Sequence, residues 1–143
     1  MIYIDTSTLL KLYVPEQGTV ELLHQLSIQT PTLIVSELAS TELMSALKRK
    51  SRQSPMQSDL FMRAYAQFER DVFTDRITLK SLNTSLLSRA TQLMTQLNAP
   101  IGTLDCIHLA TALAHQAQHF YTHDVQLSRA AQEAGLKVWP EFP

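Results

Sequence analysis

Carboxylates that fall just beyond short apolar stretches are the residues of this chain best placed to do chemistry. Asp5 follows the run Ile2-Tyr3-Ile4, and Asp124 follows Phe120-Tyr121-Thr122-His123. Glu42 and Asp105 each open an amphipathic stretch. Each acid alone has an ordinary structural use. In the first turn of a helix, Glu42 and Asp105 would complement the dipole by roughly 0.3–1 kcal/mol. Asp124 can serve as an N-cap, and Asp5 can cap a turn beginning at Ser7. Together they say more. A carboxylate directly after a buried strand is unfavourable unless it is paired or bound to a cation. Four that converge repel one another at neutral pH, so that either some stay protonated or a divalent cation neutralises them. Oxygen-only ligands select a hard ion, Mg²⁺ or Mn²⁺. Such a cluster suits phosphodiester hydrolysis, where one ion lowers the pKa of a bound water and a second stabilises the leaving oxygen. A water nucleophile needs no 2′-hydroxyl, so the chemistry itself admits DNA.

The elements that must position these acids can be read from periodicity and punctuation. Short β-branched or aromatic runs predict strands at 2–4, 32–35, 77–79, 120–122 and 138–139. Between them lie helical patterns. A turn through Leu9, Leu10 and Leu12 breaks near Pro15, and a helix over about 17–28 turns Val20, Leu23 and Leu26 or Ile28 inward. Ser40-Thr41 caps a helix to about Arg52, and 56–73 is a long amphipathic helix carrying Phe61, Tyr65 and Phe68. Asn83 or Thr84 caps the next, Thr103 caps one to about Ala117, and Asp124 caps the last, which ends at Gly135. Strands alternating with helices predict a parallel sheet covered on both faces. Ligands of such sheets bind outside the C-terminal ends of the strands, where all four acids fall.

Composition sets the frame. The 143 residues, 45% apolar and 17% charged, suit one globular domain over 1–143. No segment reaches the ~20 apolar residues that span a bilayer. The N-terminus lacks the pattern of a signal peptide, so the default expectation is cytoplasmic. The single Cys106 excludes an internal disulfide framework and a cysteine-based zinc site. His115, His119 and His123 are spaced by four, which on one helix could hold zinc, but the strand pattern at Phe120-Tyr121 takes the last two out of that register. His108 reads as a packed, hydrogen-bonded helix residue, and Trp139 as a cover for the sheet edge. The net charge is −1, yet 48–89 carries nine basic and four acidic residues, a local +5. That stretch is either a solvated helical surface or a flank that faces phosphate.

The motifs themselves resemble those of the PIN-domain family, in particular its VapC-type toxins. Ile4-Asp5-Thr6-Ser7 is similar to the family's first motif. Ser36-Glu37-Leu38-Ala39-Ser40-Thr41-Glu42-Leu43 is similar to the second. Leu104-Asp105-Cys106-Ile107-His108-Leu109-Ala110 looks like the third, with Cys106 where Ala is usual. Tyr121-Thr122-His123-Asp124 is similar to the C-terminal pattern. The resemblance runs over essentially the whole chain. It implies an α/β protein with a three-layer α/β/α fold and a central five-stranded parallel sheet. It also implies Mg²⁺- or Mn²⁺-dependent endoribonuclease activity, a homodimer, and a small antitoxin protein as partner.

Carried onto this chain, the resemblance implies a metal site of Asp5, Glu42, Asp105 and Asp124, with Ser7 and Thr122 orienting ligands or a bound water. Asp5 and Asp105 are then expected to hold the first ion, Glu42 to bind through water or activate one, and Asp124 to complete a second position. Arg49, seven residues and two helical turns after Glu42, is the candidate phosphate contact. Without the four site acids the remaining charge is +3, compatible with an RNA ligand. Two other functions fit the same fold: an RNA-processing nuclease with no toxic role, and a binding module that has lost catalysis. The second should have lost an acid, and here all four are present.

Overall fold

The computed structural model describes residues 1–143. Its elements run β1 (Ile2–Ile4), α1 (Thr6–Tyr13), α2 (Thr19–Gln29), β2 (Leu33–Ser36), α3 (Leu38–Gln53), a 3₁₀ turn (Pro55–Gln57), α4 (Ser58–Phe73), β3 (Ile77–Lys80), α5 (Thr84–Gln96), α6 (Thr103–Ala114), β4 (His119–Tyr121), α7 (Val125–Glu133) and β5 (Lys137–Trp139). The strands form one parallel sheet in the order β3-β2-β1-β4-β5. The expected α/β architecture with five parallel strands is therefore the one observed.

Side chains alternate across the sheet, as the pleat requires. Tyr3, Ile34 and Phe120 join a core with α5, α6 and α7. Ile2, Ile4, Val35 and Tyr121 join a second core with α1, α2, α3 and α4. Helices thus cover both faces, giving three layers. β1 is central and wholly buried, so a polar group at its C-terminal end begins its path out from the middle of the molecule. No helix is long and apolar enough to cross a membrane.

Several local expectations are corrected. α1 is a full helix rather than a single turn, because Asp5 caps it and nothing interrupts it before Pro15. β2 is Leu33–Ser36 and β4 is His119–Tyr121, each one residue away from its expected place. α2 turns Leu22 inward and leaves Val20, Leu23 and Ile28 exposed. α3 begins at Leu38 and not at Ser40-Thr41. The Ser36 hydroxyl accepts the Leu38 N–H at 3.2 Å, and the helix starts directly from β2. Pro55 opens a separate 3₁₀ turn before α4. Gly102, not Thr103, is the N-cap of α6, which ends at Ala114. His115 caps that end, His119 opens β4 and His123 follows it, so the three histidines share no helix face.

Candidate active site

Asp5 continues the line of β1: its N–H donates to the Tyr121 carbonyl at 3.1 Å. Its side chain is only 3% exposed and caps α1, accepting the Thr8 N–H at 3.0 Å on Oδ1. The Ser7 hydroxyl reaches both oxygens, at 2.8 and 2.9 Å, and the Thr122 hydroxyl donates to Oδ2 at 2.6 Å. A serine has a single proton to donate, so three hydrogens serve a carboxylate with about four lone-pair positions. One position remains for another ligand. Thr122 also accepts the Asp124 N–H at 3.1 Å, and Ser7 accepts the His123 N–H at 3.0 Å. Hydrogen bonds thus tie the end of β1 to the loop after β4, which holds Asp5, Ser7, Thr122 and Asp124 at one end of the sheet.

Glu42 reaches the same end from α3. Thr6 donates to its Oε1 at 2.6 Å, and His108 Nε2 lies 2.6 Å from the same oxygen. Glu42 stands in the second turn of α3, not the first as expected, so complementing the helix dipole does not account for it. Asp105 does lie in the first turn of α6. It is half-buried, and Asp124 is exposed, capping α7 through the Leu127 N–H at 2.9 Å. Arg49 is exposed on α3, with no carboxylate partner and no hydrogen bond to these residues.

The electrostatics show which acids lie near one another. Burial pushes the Asp105 carboxyl up, and the Asp124 and Asp5 charges add to that, against a smaller pull from Gly102 and His108. For Glu42 burial also works upward, but the hydrogen bonds and charge of His108, with Thr6, hold it below its ordinary value. Burial depresses the His123 imidazole, and Lys11 depresses it further. The ion pairs of the protein are Lys11–Glu16, Lys50–Glu16, Arg76–Asp71 and His108–Glu42. No lysine or arginine therefore neutralises Asp5, Asp105 or Asp124.

An oxygen-only donor set, mutually repelling and without a protein cation, fits a hard divalent ion. As the side chains stand, no group of three or more His, Cys, Asp and Glu residues is arranged to hold a metal directly. The set suits an ion bound by one or two carboxylates that keeps much of its water, as Mg²⁺ commonly does. Thr6, Tyr3 and the Thr8 N–H are parts of the site that sequence reasoning did not single out. His108 was expected only to be packed and hydrogen-bonded, and so it is, but its acceptor is a candidate site acid. The available signal was its position three residues after Asp105, a spacing that brings side chains together on a helix.

Comparison with known proteins places this geometry in context. A family model described as "PIN domain" matches residues 2–133. The chain has no significant match among curated proteins. Among solved structures it is similar to VapC20 of Mycobacterium tuberculosis, described as a toxin that cleaves the sarcin-ricin loop. That match has 14% identity over 95% of this chain and 96% of the other, with a TM-score of 0.67. It is similar to FitAcB of Neisseria gonorrhoeae at 17% identity over 96% of each chain, TM-score 0.69. It is also similar to a toxin–antitoxin complex from Klebsiella pneumoniae at 19% identity over 87% of each chain, TM-score 0.59. At these identities the likeness is one of fold.

Proposed function

Because the chain belongs to the PIN-domain family, we propose that it is a Mg²⁺- or Mn²⁺-dependent endoribonuclease and the toxin of a toxin–antitoxin pair. The observation that carries this reading is the set of carboxylates at the C-terminal end of the central strands, with Asp5, Asp105 and Asp124 lacking any lysine or arginine partner. The bound ion would lower the pKa of a water and stabilise charge on the phosphate and the leaving oxygen.

The protein's own residues would do the positioning. Ser7, Thr122 and the Thr8 N–H lock the Asp5 carboxylate in one orientation, so that it meets the ion without reorganising. Asp105, pushed up by burial and by the Asp124 and Asp5 charges, gains from a cation. Glu42 keeps Oε2 clear of its two hydrogen bonds and orients the attacking water. Asp124 supports a second position while capping α7. Arg49 offers an exposed guanidinium for phosphate. An antitoxin that covers the site, a homodimer and a cytoplasmic setting belong to the same proposal. The antitoxin is supported by the resemblance of the motifs and by the likeness to a toxin–antitoxin complex, the homodimer by the resemblance alone, and the cytoplasmic setting by the expectation drawn from the sequence.

The test uses antitoxin-free protein, structured and single-stranded RNA, and Mg²⁺, Mn²⁺ or EDTA. Cleavage should require the metal and fall at least about a hundredfold in Asp5→Asn and in Asp105→Asn. Cleavage that persists in both variants would sink the assignment of these residues.

A further inference from the structure

A line of hydrogen bonds stands behind Glu42. Tyr3, buried on β1, places its phenol oxygen 2.6 Å from His108 Nδ1, and the Ser36 N–H donates to that oxygen at 3.2 Å. His108, 2% exposed on α6, places Nε2 2.6 Å from Glu42 Oε1, which also accepts from Thr6 at 2.6 Å. Counting donors places one proton of this line. The Ser36 N–H can only donate, so the tyrosine oxygen accepts there and keeps a second lone pair and its own proton for other partners, Nδ1 among them. An ionised carboxylate can only accept, so Nε2 carries the hydrogen. Tyr3 is itself fixed by stacking on Phe120, with ring centroids 5.1 Å apart and planes 10° from parallel.

A purely packing role would need no polar atom at either end of this line, since an apolar side chain fills the same space. A buried network with every member satisfied instead makes a position rigid. Here the rigidity is delivered to an acid whose side chain is still 22% exposed. With Oε1 taken by two donors, Oε2 is the oxygen of Glu42 left for another partner.

We propose that Tyr3 and His108 are positioning residues, which hold the Glu42 carboxylate in one rotamer with Oε1 occupied and Oε2 presented to the cation and its water. This rests on the reading of Glu42 as a site acid. His108 and Tyr3 act only through it.

The experiment compares the parent with His108→Leu, His108→Gln and Tyr3→Phe. Mn²⁺ affinity is measured by calorimetry without RNA, and kcat and KM are measured with RNA. Long-range ¹H–¹⁵N spectra of the histidines are recorded without metal, with His108 assigned by its absence from the His108→Gln spectrum. The parent should show a protonated Nε2. His108→Leu should weaken Mn²⁺ binding about tenfold and lower kcat while leaving KM unchanged. His108→Gln, which can still present an N–H to Glu42, should recover much of that loss. Tyr3→Phe, which removes one oxygen and keeps the ring, should shift both readouts in the same direction, and it carries the test if His108→Leu fails to fold. A bare Nε2, or folded variants that bind Mn²⁺ as the parent does, would overturn the inference and leave the nuclease reading intact. A parent that neither binds Mn²⁺ nor cuts RNA would overturn both.

Discussion

The Asp105 carboxyl is held above its ordinary value by burial and by Asp124 and Asp5. A group of this kind binds its proton more tightly folded than unfolded. Its contribution to stability is present below the ordinary carboxylate pKa and is lost as pH rises through the raised one. Glu42, held below its ordinary value, has the opposite sign: its contribution is present at neutral pH and is lost on acidification. Asp105→Asn should therefore melt above the parent near pH 7 without metal, and the difference should shrink as the pH falls through the carboxylate range. Mn²⁺ should raise the Tm of the parent near pH 7 and raise that of Asp105→Asn much less. Thermal melts across that pH range, with Mn²⁺ or EDTA, check both points. A variant that melts below the parent at every pH would mean that the carboxylate is a structural partner. The acids themselves were legible because each follows or opens an apolar run. The partners of Glu42 were not, since Thr6 and His108 lie 36 and 66 residues from it and meet it only through the packing of α1, α3 and α6 around the sheet.

The helices carry a second kind of test, because two of the acids also serve the elements they sit on. Asp124 caps α7 through the Leu127 N–H, and Asn caps as well as Asp does. Asp124→Asn should keep the stability of the parent to within a few tenths of a kcal/mol, whereas Asp124→Ala should lose about 1 kcal/mol. If Asp124 also serves the metal site, both should weaken RNA cleavage alike. Urea melts beside single-turnover cleavage separate the two roles, and activity that follows stability alone would reduce Asp124 to a cap. At this scale the alternation of strands and helices was readable, and the faces of α2 were not. Leu22 and Leu23 are adjacent, with further apolar residues at Val20, Leu26 and Ile28, so periodicity offers more than one face. Packing among Leu9, Val14 and Leu22 makes the choice. The start of α3 was misread for a similar reason: Ser40-Thr41 has good capping chemistry, but the handover from β2 starts the helix earlier.

Charge belongs to the molecule as a whole. Outside the four site acids the protein is +3, and Arg49 stands exposed without an anionic partner. RNA binding by the Asp5→Asn variant, which should hold substrate without cutting it, is expected to weaken steeply with salt. Adding Arg49→Ala should lower the affinity a few-fold and flatten the salt slope by about one. Filter binding between about 50 and 200 mM salt reads both quantities, and an unchanged slope would remove Arg49 from the phosphate path. The net charge of −1 hides this, because the site acids offset the surrounding positive charge, whereas the local +5 over 48–89 shows it. The sheet order has a consequence in time as well as in space. β1 lies between β2 and β4, and Thr122, the residue that locks Asp5, is translated 117 residues after it. At ~5–20 residues per second, the interval is on the order of ten seconds. Until then Asp5 has neither Thr122 nor Asp124 beside it, so the growing chain carries the pieces of the candidate site before the site itself exists.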